Sequence, residues 1–167
     1  MIIAREKRKN NIAEYILYMW EIEDLIRANG FDLDKIDRNI IRRFVQPQQI
    51  KKEIRSWYEG LVNMMIREEL REKGHLRFIS EIINKMNDLH LRLLNTFEQT
   101  QYNQKYRLAQ PHIEEFKKKS KKFIDNDIEV CFIGLYFLLL MRLEGIEINP
   151  ATPVSYTHLT LPTILLV

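Results

Sequence analysis

The sequence IAREKRKNNIAEYILYMWEIEDLIRA, residues 3–28, carries the clearest helical pattern of the chain. It is rich in strong helix formers, and from Ile12 onward its apolar residues recur at steps of three and four, the period of an α-helix. Its polar residues fall on one narrow stripe: Glu14, Glu21, Asp24 and Arg27. We therefore predict one long helix over residues 3–28, contacted on more than one side and ended by Asn29-Gly30.

The rest of the chain repeats this pattern between turn residues. A short helix should begin at Asp32 or Asp34, a long helix should run from Pro47 to Gly74, and a further helix from Leu76 to Phe97.

Towards the C-terminus, Pro111 should divide the next helical stretch into two short helices, because proline lacks a backbone N–H and clashes with the preceding turn. A last helix should begin after the capping residues 125–127 and close at Gly145. The pattern predicts an all-α fold, an irregular antiparallel helical bundle of about six helices.

Composition places the chain among ordinary globular proteins. Its 167 residues are 46% hydrophobic and 29% charged, which fits a single domain over residues 1–153. The net charge of +3 arises from 26 basic and 23 acidic residues, a balance that disfavours a broad nucleic-acid footprint. The longest apolar run, residues 130–141, is shorter than the ~20 residues of a membrane span. With no leader pattern and only Cys131, which cannot form an intramolecular disulfide, we expect a cytoplasmic protein without a membrane segment.

Residues 154–167, VSYTHLTLPTILLV, differ from everything before them. They carry no charge and alternate β-branched with apolar residues, as strands do. Residues 154–163 resemble the translation of a transposase adapter used to prepare sequencing libraries, and residues 164–167 fit an index followed by a stop codon. We therefore expect an adapter-derived tail over 154–167, in which His158 does not count as a ligand. The alternative is a natural C-terminal strand or hydrophobic tail.

Three stretches of the chain carry a family resemblance. They are the N-terminal sequence MIIAREKRKNNIAEYILYMWEIEDLIRA, REKGHL at residues 71–76, and DLHLRLL at residues 88–94. Together they resemble an uncharacterised family of Bacteroidota proteins, domain of unknown function 4924, over residues 1 to about 148. The resemblance implies an all-helical cytosolic protein and no assigned activity. It also implies that natural members continue beyond Ile148 with another apolar helix, which this chain would lack.

His90 is the most informative single candidate for a functional site. Its spacing puts an imidazole on the apolar face of its helix, where it could act as a base or ligand in a polar pocket together with Glu21 or Asp24. The structural interpretation, which we favour, is a core histidine bonded to a buried carbonyl or carboxylate. Glu72-x-x-His75 is similar to half of a di-iron motif, but Gly74 interrupts it and no second copy occurs. We expect no metal, no cofactor and no catalytic residue.

The only basic block lies at the end of a predicted helix: Lys117, Lys118, Lys119, Lys121 and Lys122. It could bind phosphates or another anionic partner, although a solvated helix end explains it more simply.

The function that we favour from the sequence is a non-enzymatic helical domain acting through protein contact, with itself as the first candidate. The many aromatic residues and the apolar first helix suggest a shared surface, with Tyr18 or Tyr58 as exposed anchors. The alternatives are a small-molecule- or metal-dependent bundle enzyme with a pocket near His90, and nucleic-acid binding through the lysine block.

Overall fold

A computed structural model of the chain describes residues 2–96, 100–120, 124 and 126–146. These residues form seven α-helices and one 3₁₀ turn and no strand, so the all-α prediction is confirmed. The chain divides into two compact units, residues 1–80 and 81–167, and the boundary falls inside the fifth helix. The predicted tail over 154–167 lies outside the described residues.

The first unit contains four helices, a 3₁₀ turn and the start of a fifth helix. Their bounds are α1 Ile2–Asn10, α2 Ile12–Ala28, α3 Leu33–Asn39, the 3₁₀ turn Ile41–Arg43, α4 Gln48–Arg67 and α5 Arg77–Leu94. The second unit continues α5 and adds α6 Thr100–Lys119 and α7 Asp127–Leu143.

The prediction of one helix over residues 3–28 is wrong at Asn11. This residue adopts an extended conformation (φ −155°), and its side-chain oxygen accepts hydrogen bonds from the N–H groups of Ala13 and Glu14. Asn11 is therefore the N-cap of α2 and divides the stretch in two, because an asparagine side chain competes with the helix for backbone donors. The end of α2 is as predicted, with Gly30 in the left-handed region (φ 64°).

The predicted end of α4 at Gly74 is also wrong. The helix stops at Arg67, Glu69 takes the left-handed conformation (φ 58°), and the N–H of Leu70 bonds to the carbonyl of Met65 at 2.9 Å. This closes the last turn seven residues before Gly74. Residues 70–76 consequently form a connecting loop.

Pro111 does not divide α6, contrary to the prediction. The residues on either side of it, Ala109 and Ile113, are both buried in one apolar cluster with Val130 and Cys131 of α7. Burial of both flanks keeps the axis helical across a residue that normally breaks it, at a local cost of about 3 kcal/mol.

Candidate functional site

His90 is fully buried in the second unit, with 1% of its surface exposed. Its Nδ1 lies 2.6 Å from the hydroxyl of Tyr102, and its ring meets the edge of Tyr106 at a centroid distance of 4.7 Å. Burial lowers the pKa of His90, because a charged imidazolium would lose its hydration there. The structural interpretation is therefore right about the environment, but the partner is a phenol and not a carbonyl or carboxylate.

The polar contacts continue from Tyr106 to the surface. Its hydroxyl donates to Oδ2 of Asp127 at 2.5 Å, and Oδ1 of Asp127 lies 2.5 Å from Nζ of Lys117. Burial, together with the neighbouring Asp127 carboxylate, raises the pKa of Tyr106. We refer to these five residues as the His90 network: His90, Tyr102, Tyr106, Lys117 and Asp127.

The polar side chains of the His90 network form hydrogen bonds or ion pairs with one another, as buried polar groups in a protein core do. Neutral imidazole and protonated phenols contact one another, and the single carboxylate is neutralised by a lysine. The thiol of Cys131, buried nearby in α7, is held protonated because burial raises its pKa to about 12. None of these groups is activated as a nucleophile at neutral pH.

Sequence reasoning missed the two tyrosines because their spacing resembled that of apolar core residues. The signal that could have found them is their separation of four residues on one helix, since a buried tyrosine hydroxyl needs a partner.

Glu21 and Asp24, the proposed companions of His90, lie in the first unit, whereas His90 lies in the second. Asp24 forms an ion pair with Arg27, with 2.8 Å between its Oδ1 and the guanidinium Nη1. Burial, together with the negative charge of Glu21, raises the pKa of Tyr18 to about 12. Lys7 of α1 forms an ion pair with Glu14 of α2, with 2.9 Å between Nζ and Oε2.

The most buried charged residue of the described chain is one that sequence reasoning did not single out. Glu23 on α2 has 0% of its surface exposed. Its Oε1 accepts the backbone N–H of Leu76 at 2.9 Å, and its Oε2 lies 2.7 Å from Nδ1 of His75. The ring of His75 also stacks on Trp20 of α2, with centroids 4.1 Å apart. A second anchor comes from Arg27, whose guanidinium donates to the carbonyls of Leu70 and Gly74.

These contacts give the sequence REKGHL a structural role. Its backbone and its histidine are held against α2 by a buried carboxylate and a guanidinium, which fixes the loop between α4 and α5. Glu72 and His75 are thus part of a connecting loop and not of a helical metal motif.

The lysine block is partly neutralised within the second unit. Lys117 pairs with Asp127, and Nζ of Lys119 lies 2.6 Å from Oε1 of Glu115. Lys118 is exposed, while Lys121 and Lys122 lie outside the described residues.

An apolar stripe follows one side of α7, at steps of three and four residues. Its members, named here the α7 stripe, are Tyr136, Phe137, Leu140 and Leu143. Phe137 is 52% exposed and Leu143 is 64% exposed. By contrast, Tyr58, expected as an exposed anchor, is buried with 1% exposure.

Within the described part of the chain, no three His, Cys, Asp or Glu residues are grouped so that they could hold a metal ion. No helix described there combines the length and the apolar character needed to cross a membrane.

Comparison with known proteins identifies a family but no individual relative. No curated protein and no solved structure matches the chain. A family model does match it, over residues 1–165. The chain belongs to the family described as a domain of unknown function, DUF4924.

Proposed function

We propose that this chain is a non-enzymatic helical protein that associates with a second copy of itself through the α7 stripe. The observation that carries the proposal is the exposure of Phe137 and Leu143 on α7. Exposed aromatic and aliphatic side chains in a contiguous stripe are typical of contact surfaces.

The surface differs from the one favoured by sequence reasoning. The first long helix was expected to present an apolar face, but α2 buries residues on several sides, among them Tyr15, Trp20 and Ile26. Phe137 of α7 is an exposed aromatic residue, and we place the proposed contact there.

Charge around the stripe favours a second copy as the partner. Lys118 lies two residues after Phe116, whose ring centroid lies 6.4 Å from that of Phe137, and Arg142 and Glu144 flank Leu143 at the other end. None of these three charges is paired with a described residue. A surface that carries both signs beside an apolar centre is complementary to itself across a two-fold axis, the commonest symmetry of homo-oligomers.

The test is sedimentation velocity over a concentration range from about 1 μM to about 1 mM, which covers the dissociation constants of weak and moderate dimers. We expect the weight-average mass of the wild type to rise from one chain to two. Phe137→Asp should remain monomeric, because it places a charge in the centre of the contact. Val45→Asp is the matched control, since Val45 is 98% exposed in the first unit and should leave association unchanged.

A wild type that stays monomeric over the whole range would refute the proposal. An unchanged dimer in Phe137→Asp, with native far-UV circular dichroism, would place the contact elsewhere. Binding of nucleic acid that weakens steeply with added salt would instead support a role for the lysine block.

We also propose that the protein comes from a member of the Bacteroidota, that it acts in the cytoplasm, and that residues 154–167 are an adapter-derived tail in place of its natural continuation. The adapter-like sequence of residues 154–163 supports the last point, whereas the family match to residue 165 argues for a natural tail. Sequencing the chromosomal gene decides between them. Repeating the sedimentation experiment with that gene's own C-terminus distinguishes a dimer contact on α7 from a surface covered by the natural continuation.

A further inference from the structure

The first unit contains a surface groove of about 240 Å³ between α1 and the chain that leads into α4. Its walls are apolar and come from Ile3, Phe44, Ile50 and Ile54. The groove is smaller than the pockets that hold drug-sized ligands, which span about 300–1,000 Å³. Its size therefore limits an occupant to a small organic molecule.

Two charged side chains of opposite sign also line this groove. Arg5 lies on α1 and Glu53 on α4, both exposed. Neither forms an ion pair or hydrogen bond with a described residue. Some acids of the first unit are paired, for example Asp34 with Arg55 at 2.8 Å and Asp37 with Arg42 at 2.9 Å. The groove thus combines an apolar wall with one cation and one anion available to a ligand.

We propose that this groove binds a free apolar α-amino acid, of which L-leucine is the representative. Its side chain would contact the apolar wall, its carboxylate would accept hydrogen bonds from the Arg5 guanidinium, and its ammonium would donate to the Glu53 carboxylate. A zwitterion with an apolar side chain satisfies all three features at once. A simple anion or hydrocarbon would leave at least one charged group of the groove without a counterpart.

Isothermal titration calorimetry with L-leucine and two relatives tests the proposal. N-acetyl-L-leucine lacks the ammonium and L-leucinamide lacks the carboxylate, while both keep the side chain. We expect saturable binding of L-leucine and about tenfold or greater loss of affinity for each relative, as expected when one charge-assisted hydrogen bond is removed.

Substitutions then assign each charge to its residue. Arg5→Gln should lower the affinity for L-leucine by about tenfold. It should leave the affinity for L-leucinamide unchanged, because that ligand has no carboxylate for the guanidinium to bind. Glu53→Gln should lower the affinity for L-leucine but not the affinity for N-acetyl-L-leucine, which has no ammonium group for the carboxylate to bind. Lys9→Gln, an exposed change on the same helix as Arg5, is the matched control and should bind like the wild type.

Absence of saturable L-leucine binding at about 10 mM would overturn the proposal, because affinity below that range is not specific recognition. Equal weakening of all three ligands by Arg5→Gln would also overturn it, since the guanidinium would then not recognise the carboxylate. Neither result bears on self-association through α7, so the two proposals fail independently.

Discussion

Removal of the Glu23 carboxylate should destabilise the first unit more than any exposed substitution there. Glu23 is fully buried and makes two contacts, one with the N–H of Leu76 and one with Nδ1 of His75. In Glu23→Ala the buried N–H loses its acceptor, which costs about 1–3 kcal/mol, and the contact with the histidine is lost as well. We expect a total loss of about 3–5 kcal/mol in the free energy of unfolding, the range for breaking a buried polar pair from one side.

Urea unfolding followed by tryptophan fluorescence measures this loss. The chain has two tryptophans, Trp20 and Trp57, and both lie in the first unit, so the signal reports on that unit. Trp20 stacks on His75 and should respond directly to release of the loop. Glu59→Ala, an exposed change on α4, is the control and should stay within about 0.5 kcal/mol of the wild type.

Glu23→Gln refines the test. Its amide oxygen can still accept the N–H of Leu76, but the negative charge next to His75 is gone, so we expect an intermediate loss of about 1.5–3 kcal/mol. A loss below about 1 kcal/mol in Glu23→Ala, with an unchanged dependence on urea, would refute the assignment of Glu23 as the anchor of the loop.

Three further predictions concern the second unit. In the folded state the pKa of His90 lies below its ordinary 6.5, so below that pH the unfolded chain binds more protons than the folded chain. The free energy of unfolding should therefore be highest above pH 6.5 and should decrease as the pH falls below it. Urea midpoints measured across this pH range should decrease less in His90→Gln than in the wild type. Pro111→Ala should raise the free energy of unfolding by about 2 kcal/mol, because a helix-breaking residue is removed from α6. Part of the gain is offset, since the unfolded chain becomes more flexible without the proline. Urea melts followed by far-UV circular dichroism measure the change. The Cys131 thiol, buried with its pKa raised to about 12, should react with Ellman's reagent only after unfolding in concentrated urea, and rapid reaction of the native protein would contradict its burial.

The sequence predicts the helices well wherever local chemistry controls them. The apolar period places α2 and α5, Asp32 caps α3 with its side chain, and Gly145 follows α7 in the left-handed conformation. These features depend on residues within a few positions of one another, and their signals are therefore present in the sequence itself.

Two of the three errors occur where distant residues contribute, whereas the break at Asn11 has a local cause, because the side chain of Asn11 caps α2. Pro111 is tolerated because Ala109 and Ile113 are both buried by α7. The end of α4 is followed by a loop held through Glu23 and Arg27, which lie 53 and 43 positions before their partners in the loop. Local propensity contains no information about such partners.

The candidate site likewise contains features that the sequence shows and contacts that it does not show. An isolated histidine on an apolar face is visible in the sequence, but its partner Tyr102 lies on another helix. In the sequence, Glu23 is one of several acidic residues on its helix. In the structure, its contacts with the loop distinguish it from the others.

The three stretches that carry the family resemblance contain residues of both buried polar clusters. Glu23 and Arg27 lie in the first stretch, His75 in the second and His90 in the third. All four are engaged in contacts within their own unit, so these parts of the resemblance are explained by the requirements of the fold. The whole α7 stripe lies outside those stretches. Experiments aimed at function should therefore begin with the α7 stripe and the Arg5–Glu53 groove, where exposed side chains have no role in holding the fold together.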